Sequence, residues 1–391
     1  MKHSILIKNG KILTMAGQDY DDGDLLIEDG KIKAVGYNID AAESVDIDII
    51  DASGLYVLPG FIDAHCHVGM WNDGMGFEGA DGNEDTDPST PHLRAIDGVN
   101  PFDRCFSEAM EAGITTVVTG PGSANVIGGQ FVALKTYGRR TEDMIIKEPL
   151  AVKAALGENP KRTYHDQEKS PYTRMAIAGI LRQNLVKAQE YKCKLEECAQ
   201  DPEKRPERDL EMEALIKVLN KEIPLKVHAH RADDILTAIR IAKEFDINIT
   251  LDHCTEGYMI ADILAEEGYP VILGPLISER SKIELRNQSI TAPAILSKAG
   301  IKVAIMTDHP VIPVQYLPVS AAIAVREGMD EVEAIKSITI NAAQITGIAD
   351  RVGSLEVGKD ADIAIFDGNP LEFRTKSRMV FINGRLVFRR Q

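Results

Sequence analysis

The chain has 391 residues and a formal net charge of −16, with 44% hydrophobic and 27% charged residues. Such a length exceeds the ~250 to 300 residues at which one core usually stops growing, and it predicts a large barrel or a barrel with a satellite domain. The acidic charge argues against a nucleic-acid partner, and the apolar runs are far shorter than the ~20 residues that cross a bilayer. We expect a globular protein that acts on a small molecule, and the sequence leaves open whether it forms a homo-oligomer.

The start of the chain and its cysteines predict a cytoplasmic protein. Residues 1–10 alternate towards a strand and a turn, without the apolar core and cleavage site of a secretory signal. The five cysteines, Cys66, Cys105, Cys193, Cys198 and Cys254, are odd in number and scattered. This pattern favours reduced thiols over a disulfide framework.

Both ends of the chain are typical of short strands separated by tight turns. The turn signals include Asp29-Gly30 near the start and Asn383-Gly384 near the end, each between alternating runs. Neither piece alone is long enough for a comfortable sandwich. We therefore predict that residues 1–58 and 350–391 combine into one small β-sandwich domain.

Between these ends, residues 59–349 alternate apolar strand-like runs with helical ones. Eight buried apolar runs interleaved with helices predict an α/β fold, a (β/α)₈ TIM barrel whose active site lies at the C-terminal strand ends. The predicted strands are 60–64, 115–119, 131–135, 150–156, 225–228, 247–251, 271–273 and 303–306. The predicted helices include 101–112, 173–198, 208–221, 232–245 and 331–340. Residues 120–130 are predicted to be a loop at the barrel mouth.

The first barrel strand ends in two histidines one residue apart, His65 and His67. On an extended strand they lie on the same side, and two neutral imidazoles aimed at one point form half of a divalent-metal site. Cys66 points to the other side and is predicted to be a packed thiol. The irregular segment 69–100 follows directly and contains the only tryptophan, Trp71, so we expect it to be a lid.

Three later strands also end in residues that can bind a metal. His228 and His230 close the fifth strand, His253 follows the sixth, and Asp308 with His309 follows the eighth. These ends meet at one mouth in a barrel, so residues far apart in sequence can surround one site. Six of the nine histidines fall at such ends, and this coincidence predicts a metal centre.

These motifs together resemble the amidohydrolase superfamily, near its imidazolonepropionase-related and dipeptidase-like branch. Residues 59–67, PGFIDAHCH, and residues 353–362, GSLEVGKDAD, carry the resemblance together with the strand-end residues His228, His253 and Asp308. It covers essentially the whole chain.

The resemblance implies a role for each of these residues. His65 and His67 are implied to bind the more buried metal. His228 and His253 are implied to bind a second metal or to complete a single site. Asp308 is implied both to bind metal and to handle protons.

Three further residues are assigned with alternatives. His230 shares a face with His228, and the resemblance favours His228 as the ligand, with His230 behind the ligands or facing the substrate. Members with two metals use a carboxylated lysine or a glutamate at the third or fourth strand, where this chain has Lys153 and Glu158. A lysine flanked by apolar strand residues is costly unless it is paired or modified, so we expect Lys153 as the metal ligand and Glu158 near the substrate. The number of ions, one or two, stays open, with zinc expected first and manganese or iron as alternatives.

These residues predict a hydrolase that acts on carbon–nitrogen bonds. A divalent metal lowers the pKa of bound water from about 15.7 to about 7, and Asp308 can take the water proton and return it to the leaving nitrogen. The expected substrate is an amide, a cyclic amide or a dipeptide-like molecule. A deaminase or an imidazolonepropionase-like ring-opening hydrolase with one metal is the alternative. A non-catalytic scaffold is less favoured, because such relatives lose ligands and none is missing here.

Overall fold

In the computed structural model, which describes residues 4–40, 47–198, 203 and 205–391, the chain opens with five strands. They are β1 (Ser4–Ile12), β2 (Tyr20–Glu28), β3 (Lys31–Gly36), β4 (Ile47–Asp51) and β5 (Tyr56–Pro59). The hairpin of β2 and β3 turns at Asp29 and Gly30, whose φ angles of 50° and 77° are both positive. The predicted two-residue turn, which requires positive φ at both positions, is confirmed here.

Eight consecutive strands then form a second, nearly closed sheet. They are β6 (Phe61–Cys66), β7 (Ile114–Thr119), β8 (Ile127–Lys135), β9 (Ile145–Ala155), β10 (Leu225–Ala229), β11 (Ile249–His253), β12 (Val271–Leu273) and β13 (Val303–Ile305). Neighbours in the chain are neighbours in the sheet from β6 to β13, and almost every strand residue is buried. The α/β barrel fold is confirmed, and each predicted strand overlaps one of these.

One strand departs from a regular (β/α)₈ barrel. β8 runs antiparallel to both β7 and β9. The reason is that residues 120–126, which connect β7 to β8, are fewer than the dozen or so that a parallel crossover needs. The first residues of β8 therefore lie at the barrel mouth, and Lys135 lies at its base. The prediction that residues 120–130 are loop throughout is wrong from Ile127, where this strand begins.

The α-helices among the described residues are α1 (Ala95–Gly98), α2 (Arg104–Glu111), α3 (Thr141–Met144), α4 (Glu158–Asp166), α5 (Arg174–Glu197), α6 (Leu210–Leu219), α7 (Ala232–Phe245), α8 (Ala261–Glu267), α9 (Ala292–Lys298), α10 (Leu317–Arg326), α11 (Glu331–Ser337) and α12 (Ile340–Thr346). Four predicted helices correspond to α2, α5, α6 and α7. The fifth is interrupted between α11 and α12, because Thr339 has φ −137° and ψ −103°, outside the helical region. Within the described ranges, no helix has the length and apolar character needed to span a bilayer.

The last three strands, β14 (Ile363–Phe366), β15 (Ser377–Ile382) and β16 (Arg385–Arg389), return to the first sheet. That sheet has the order β16-β15-β14-β5-β1-β2-β3, with β4 beside β1. Antiparallel pairing of β14 with β5 joins the two ends of the chain. A separate β-sheet built from both chain ends is thus confirmed. The predicted domain limits stay a prediction, and residues 1–3 and 41–46 of the first range lie outside the described residues.

A group of ions around the buried residues Lys135, Asp360 and Asp362 joins the base of the barrel to this sheet. Lys135 Nζ lies 2.9 Å from Asp360 Oδ2 and 2.5 Å from Asp362 Oδ2. Arg351 and Lys31 also reach Asp360, at 2.7 and 2.6 Å. We call these five residues the base cluster. Both aspartates belong to the GSLEVGKDAD motif, so this motif fixes the end sheet beneath the barrel.

The first and last barrel strands meet at the mouth through individual hydrogen bonds. The backbone amide of Asp308 donates to the carbonyl of His65 at 3.2 Å. Below them, the buried carboxylate of Asp63 accepts a hydrogen bond of 2.5 Å from the hydroxyl of Thr307. This seam brings the histidines of β6 beside the residues that follow β13.

Candidate active site

His65 lies at the mouth end of β6, His67 follows the strand directly, and both side chains are buried. His65 Nδ1 lies 2.6 Å from Asp252 Oδ2, and His67 Nδ1 lies 2.7 Å from the carbonyl oxygen of Gly120. Because these oxygens only accept hydrogen bonds, each Nδ1 carries a hydrogen, and in a neutral ring each Nε2 presents a lone pair. Histidines that bind metals are typically held in this way.

Asp308 directs its carboxylate at both of these Nε2 atoms. Its Oδ1 is 3.2 Å from His67 Nε2 and 3.6 Å from His65 Nε2. Burial raises the pKa of Asp308, but the positive charges that His253, His67 and Lys153 carry when protonated outweigh burial and hold that pKa below its usual value. Asp308 also has a φ of 55°, a left-handed conformation that costs a non-glycine residue free energy and that clusters at functional sites.

His253 ends β11 and completes this group of acceptors. Its Nδ1 lies 3.0 Å from the carbonyl oxygen of Gly274, and its buried Nε2 has no hydrogen-bond partner among the described residues. The atoms through which His65, His253 and Asp308 could bind a metal lie within 4.8 Å of one another. Imidazole lone pairs and a carboxylate aimed at one another are the ligand set of a divalent cation, so this group can hold one.

His228 and His230, at the end of β10, form a second group with His253, again within 4.8 Å. His228 Nδ1 is 2.9 Å from Ser123 Oγ, and His230 Nδ1 is 2.7 Å from Thr255 Oγ1. Burial lowers the pKa of both imidazoles, that of His230 to about 3, so both are neutral at pH 7. The structure therefore brings both histidines to this group, and not His228 alone.

Lys153 and Glu158 occupy different positions relative to these groups. Lys153 is fully buried on β9, with Nζ 3.2 Å from His65 Nε2, and burial lowers its pKa to about 8. Glu158, at the start of α4, accepts a hydrogen bond of 3.2 Å from the backbone amide of Glu284 and lines a cavity of about 410 Å³. Lys153 thus lies among the predicted ligands, and Glu158 lies in the cavity wall.

Comparison with known proteins identifies the family. The Amidohydrolase family model matches residues 56–387. The chain belongs to the amidohydrolase family. A solved amidohydrolase from Thermotoga maritima MSB8 is 44% identical, with a TM-score of 0.95, over 99% of this chain and 100% of that one.

Two curated relatives match this amidohydrolase over different shares of their own length. Amidohydrolase tasK from Hapsidospora irregularis is 29% identical over 94% of this chain, which spans only 40% of that relative. An imidazolonepropionase from Solibacter usitatus is 25% identical over 100% of both chains. The predicted family is confirmed.

Behind the histidines of this amidohydrolase lies a buried ion pair that sequence reasoning missed. Asp252 Oδ2, the partner of His65, is 3.0 Å from Lys226 Nζ, and Asp252 Oδ1 accepts a hydrogen bond of 2.7 Å from Thr250. The sequence does contain a signal for this ion pair. Polar residues stand two apart in buried strands, Lys226 with His228 and Thr250 with Asp252, and residues two apart share one face of a strand.

Glu284 was also missed. It lies in the short 3₁₀ turn Ile283–Leu285 after β12 and is buried. Its Oε2 accepts a hydrogen bond of 3.0 Å from the amide of Glu158, whereas its Oε1 has no hydrogen-bond partner among the residues that the structure describes. Burial raises the pKa of this carboxyl to about 7. The polar loop around it contains no local motif that could have identified it.

The segment predicted as a lid, residues 69–100, lies against His67. The rings of Trp71 and His67 are in T-shaped contact with centroids 4.9 Å apart. The carbonyl oxygen of Asp87 accepts hydrogen bonds of 2.7 Å from both Tyr164 and Asn125, which fixes the segment to the barrel mouth. Its movement as a lid stays a prediction.

His309 and Cys66 have other hydrogen-bond partners. His309 Nδ1 accepts a hydrogen bond of 3.2 Å from the amide of Val314, so in the neutral ring Nε2 carries the hydrogen, the opposite tautomer to His65. The Cys66 thiol donates to the carbonyl of Val118 at 3.6 Å, and burial raises its pKa. Neither side chain belongs to the two groups of residues that could bind a metal.

Proposed function

We propose that this chain hydrolyses a carbon–nitrogen bond in an amide, a cyclic amide or a dipeptide-like substrate with the help of divalent metal, zinc first and manganese or iron as alternatives. The observation that carries the proposal is the group of buried imidazoles at the mouth, those of His65, His67 and His253. Each Nδ1 atom lies within hydrogen-bond distance of an oxygen, and the Nε2 atom of His67 lies 3.2 Å from the carboxylate of Asp308. The proposed ligands are His65, His67, Lys153, His228, His253 and Asp308.

When bound, the metal would activate a water molecule and polarise the substrate carbonyl. Asp308 takes the water proton and returns it to the leaving nitrogen, so that the amine departs without a negative charge. Asp252 and the carbonyl of Gly120 hold the two imidazoles of β6 in one orientation, which keeps the reacting atoms in place. His230 and Glu158 are proposed to contact the substrate.

Lys153 is proposed to carry a carboxylate added from carbon dioxide. The neutral amine takes up one CO₂ and releases one proton, and burial, which lowers the pKa of Lys153 to about 8, increases the neutral fraction near pH 7. Native mass spectrometry of the wild type should show the added mass of one CO₂, and Lys153→Arg protein should lack it. A wild type with an unmodified mass would contradict this assignment.

A substrate screen tests the proposed activity. Protein loaded with zinc or manganese is given cyclic amides, N-acyl amino acids, dipeptides and amino-substituted heterocycles, with cyclic amides first because of the full-length similarity to an imidazolonepropionase. A new acid and amine support hydrolysis, whereas ammonia released from an intact ring would indicate a deaminase. His65→Ala protein should lose both metal and activity. Retention of both in that variant would refute the site.

A further inference from the structure

We propose that Glu284 is a ligand of a second divalent ion, together with His228 and His230, so that His230 binds this ion in place of the substrate contact proposed above. The inference rests on the proposed metal-dependent function and adds a carboxylate that no motif of the sequence indicated. Glu284 Oε1 lies 3.6 Å from His230 Nε2 and 3.8 Å from His228 Nε2. All three side chains are buried.

The carboxylate of Glu284 is held from one side only. Its Oε2 accepts a hydrogen bond of 3.0 Å from the amide of Glu158, and the amide of Glu284 donates back to Glu158 Oε2 at 3.2 Å. This reciprocal pair fixes the carboxylate, while Oε1 stays buried without a hydrogen-bond partner among the described residues. A buried, ionised carboxylate oxygen without a partner is costly, and a bound cation would remove that cost.

The two imidazoles can present matching lone pairs. Asn159 Nδ2, an amide donor, lies 3.4 Å from His228 Nε2 and marks that nitrogen as an acceptor. The hydroxyls of Ser123 and Thr255 lie within hydrogen-bond distance of the Nδ1 atoms of His228 and His230 and can accept from them. In these tautomers, the ionised Glu284 and the two Nε2 atoms cannot hydrogen-bond to one another.

Two of the three distances among these atoms also fit an ion. Bonds of about 2.0 to 2.1 Å around a tetrahedral zinc place ligand atoms about 3.3 to 3.4 Å apart. The distances of 3.6 and 3.8 Å between Glu284 and the histidines are slightly longer than that edge and longer than a hydrogen bond. His253, which belongs to both groups of metal-ligand atoms, can complete the ligand set of only one ion, because its Nδ1 is held by the carbonyl of Gly274 and one nitrogen lone pair remains.

The metal stoichiometry of Glu284→Gln protein tests the inference. Glutamine keeps the size of the side chain and an acceptor for the Glu158 amide but removes the charge. Apo protein is equilibrated with Zn²⁺ and a competing chelator, and bound zinc is measured by mass spectrometry. Wild type should hold two equivalents, and the variant should bind the second at least about 10- to 100-fold more weakly.

Two further variants complete the experiment. Glu279→Gln changes an exposed glutamate of the same loop and should keep both ions. His230→Asn should weaken the second ion as Glu284→Gln does, and it carries the test if Glu284→Gln does not fold. With Co²⁺, the visible absorption of the second equivalent should change in Glu284→Gln while that of the first stays.

The outcomes separate the inference from the proposed function. Glu284→Gln protein that holds two ions at wild-type affinity would overturn the inference, even if its activity fell. So would a wild type that holds one ion whose affinity this variant does not change. Loss of the second ion in a protein whose wild type hydrolyses none of the screened compounds would support the metal site and count against the activity.

Discussion

The two ends of the barrel treat buried charge in opposite ways. In the base cluster, Lys135 pairs with Asp360 and Asp362 at 2.9 and 2.5 Å. At the mouth, Glu284 Oε1 and His253 Nε2 have no hydrogen-bond partner among the described residues. The base stabilises the fold by matching charges, whereas the mouth keeps acceptors available for a cation.

The pKa values of two buried aspartates show the same contrast. Burial raises the pKa of Asp63, below the mouth, to about 7. Burial also raises the pKa of Asp360 in the base cluster, but Lys135, Lys31 and Arg351 outweigh it and hold that pKa below its usual value. Charged side chains surround Asp360 at the base, whereas Asp63 accepts its hydrogen bonds from neutral groups, the hydroxyl of Thr307 and the amide of His65.

Removing the proton acceptor at the mouth should have the largest effect. Asp308→Asn keeps the shape of the side chain but loses its charge, so we expect kcat/KM on a substrate from the screen to fall by about 10²- to 10⁴-fold. The exposed Asp350 offers a matched control, Asp350→Asn, which should keep the wild-type rate. Equal rates for the two variants would refute the role of Asp308.

Breaking the base cluster should damage stability and leave metal binding intact. Lys135→Met leaves Asp360 and Asp362 buried beside each other with one fewer cation, which should cost about 3 to 5 kcal/mol of the free energy of unfolding. Urea unfolding measures the loss, and bound zinc is measured on the same sample. A stable variant that had lost its metal would reverse the proposed division between base and mouth.

The pH dependence of stability should depend on Asp63. Its pKa is raised from 3.8 to about 7 in the folded state, so the folded state keeps a proton that the unfolded state releases. Its stabilisation is full below pH ~4 and is lost as pH rises through 7, by up to about 4 kcal/mol. Asp63→Asn should flatten this decline in urea unfolding between pH 4.5 and 7.5, and profiles parallel to wild type would contradict it.

The carboxylate behind His65 should tune metal affinity. Asp252→Asn weakens the hydrogen bond that orients this imidazole. We expect the affinity of the protein for the ion bound by His65 and Asp308 to fall by about 10- to 100-fold. Zinc competition against a chelator measures the change. An affinity equal to wild type would mean that Asp252 serves only to pair with Lys226.

Removing an exposed ion pair should have the smallest effect on the free energy of unfolding. Arg208 lies 2.8 Å from Glu213, with 73% of its side chain exposed. Arg208→Ala should change the free energy of unfolding by less than about 1 kcal/mol and leave bound zinc unchanged. A loss as large as that of Lys135→Met would show that burial does not separate the two kinds of pair.

Sequence reasoning reached the part of the site that is local or lies at strand ends. His65 and His67 share one strand face, and the barrel topology brings Asp308 to them across the seam. Glu284 escaped because tertiary packing, and not a local pattern, sets the path of its loop. The direction of β8 escaped because a buried apolar run reads the same in either direction. The cytoplasmic location and a homo-oligomer stay predictions.

The reversal of β8 has a consequence for the order of folding. β7, β8 and β9 form a meander within residues 114–155, whose contacts are local and close short loops, whereas the seam joins His65 to Asp308 across most of the chain. We expect the meander to form early and the seam late, which pulsed hydrogen exchange can check by comparing amide protection in the two regions. The group formed by His65, His253 and Asp308 is then complete only after the barrel has closed. Binding of a metal ion to this group would therefore indicate that folding is complete.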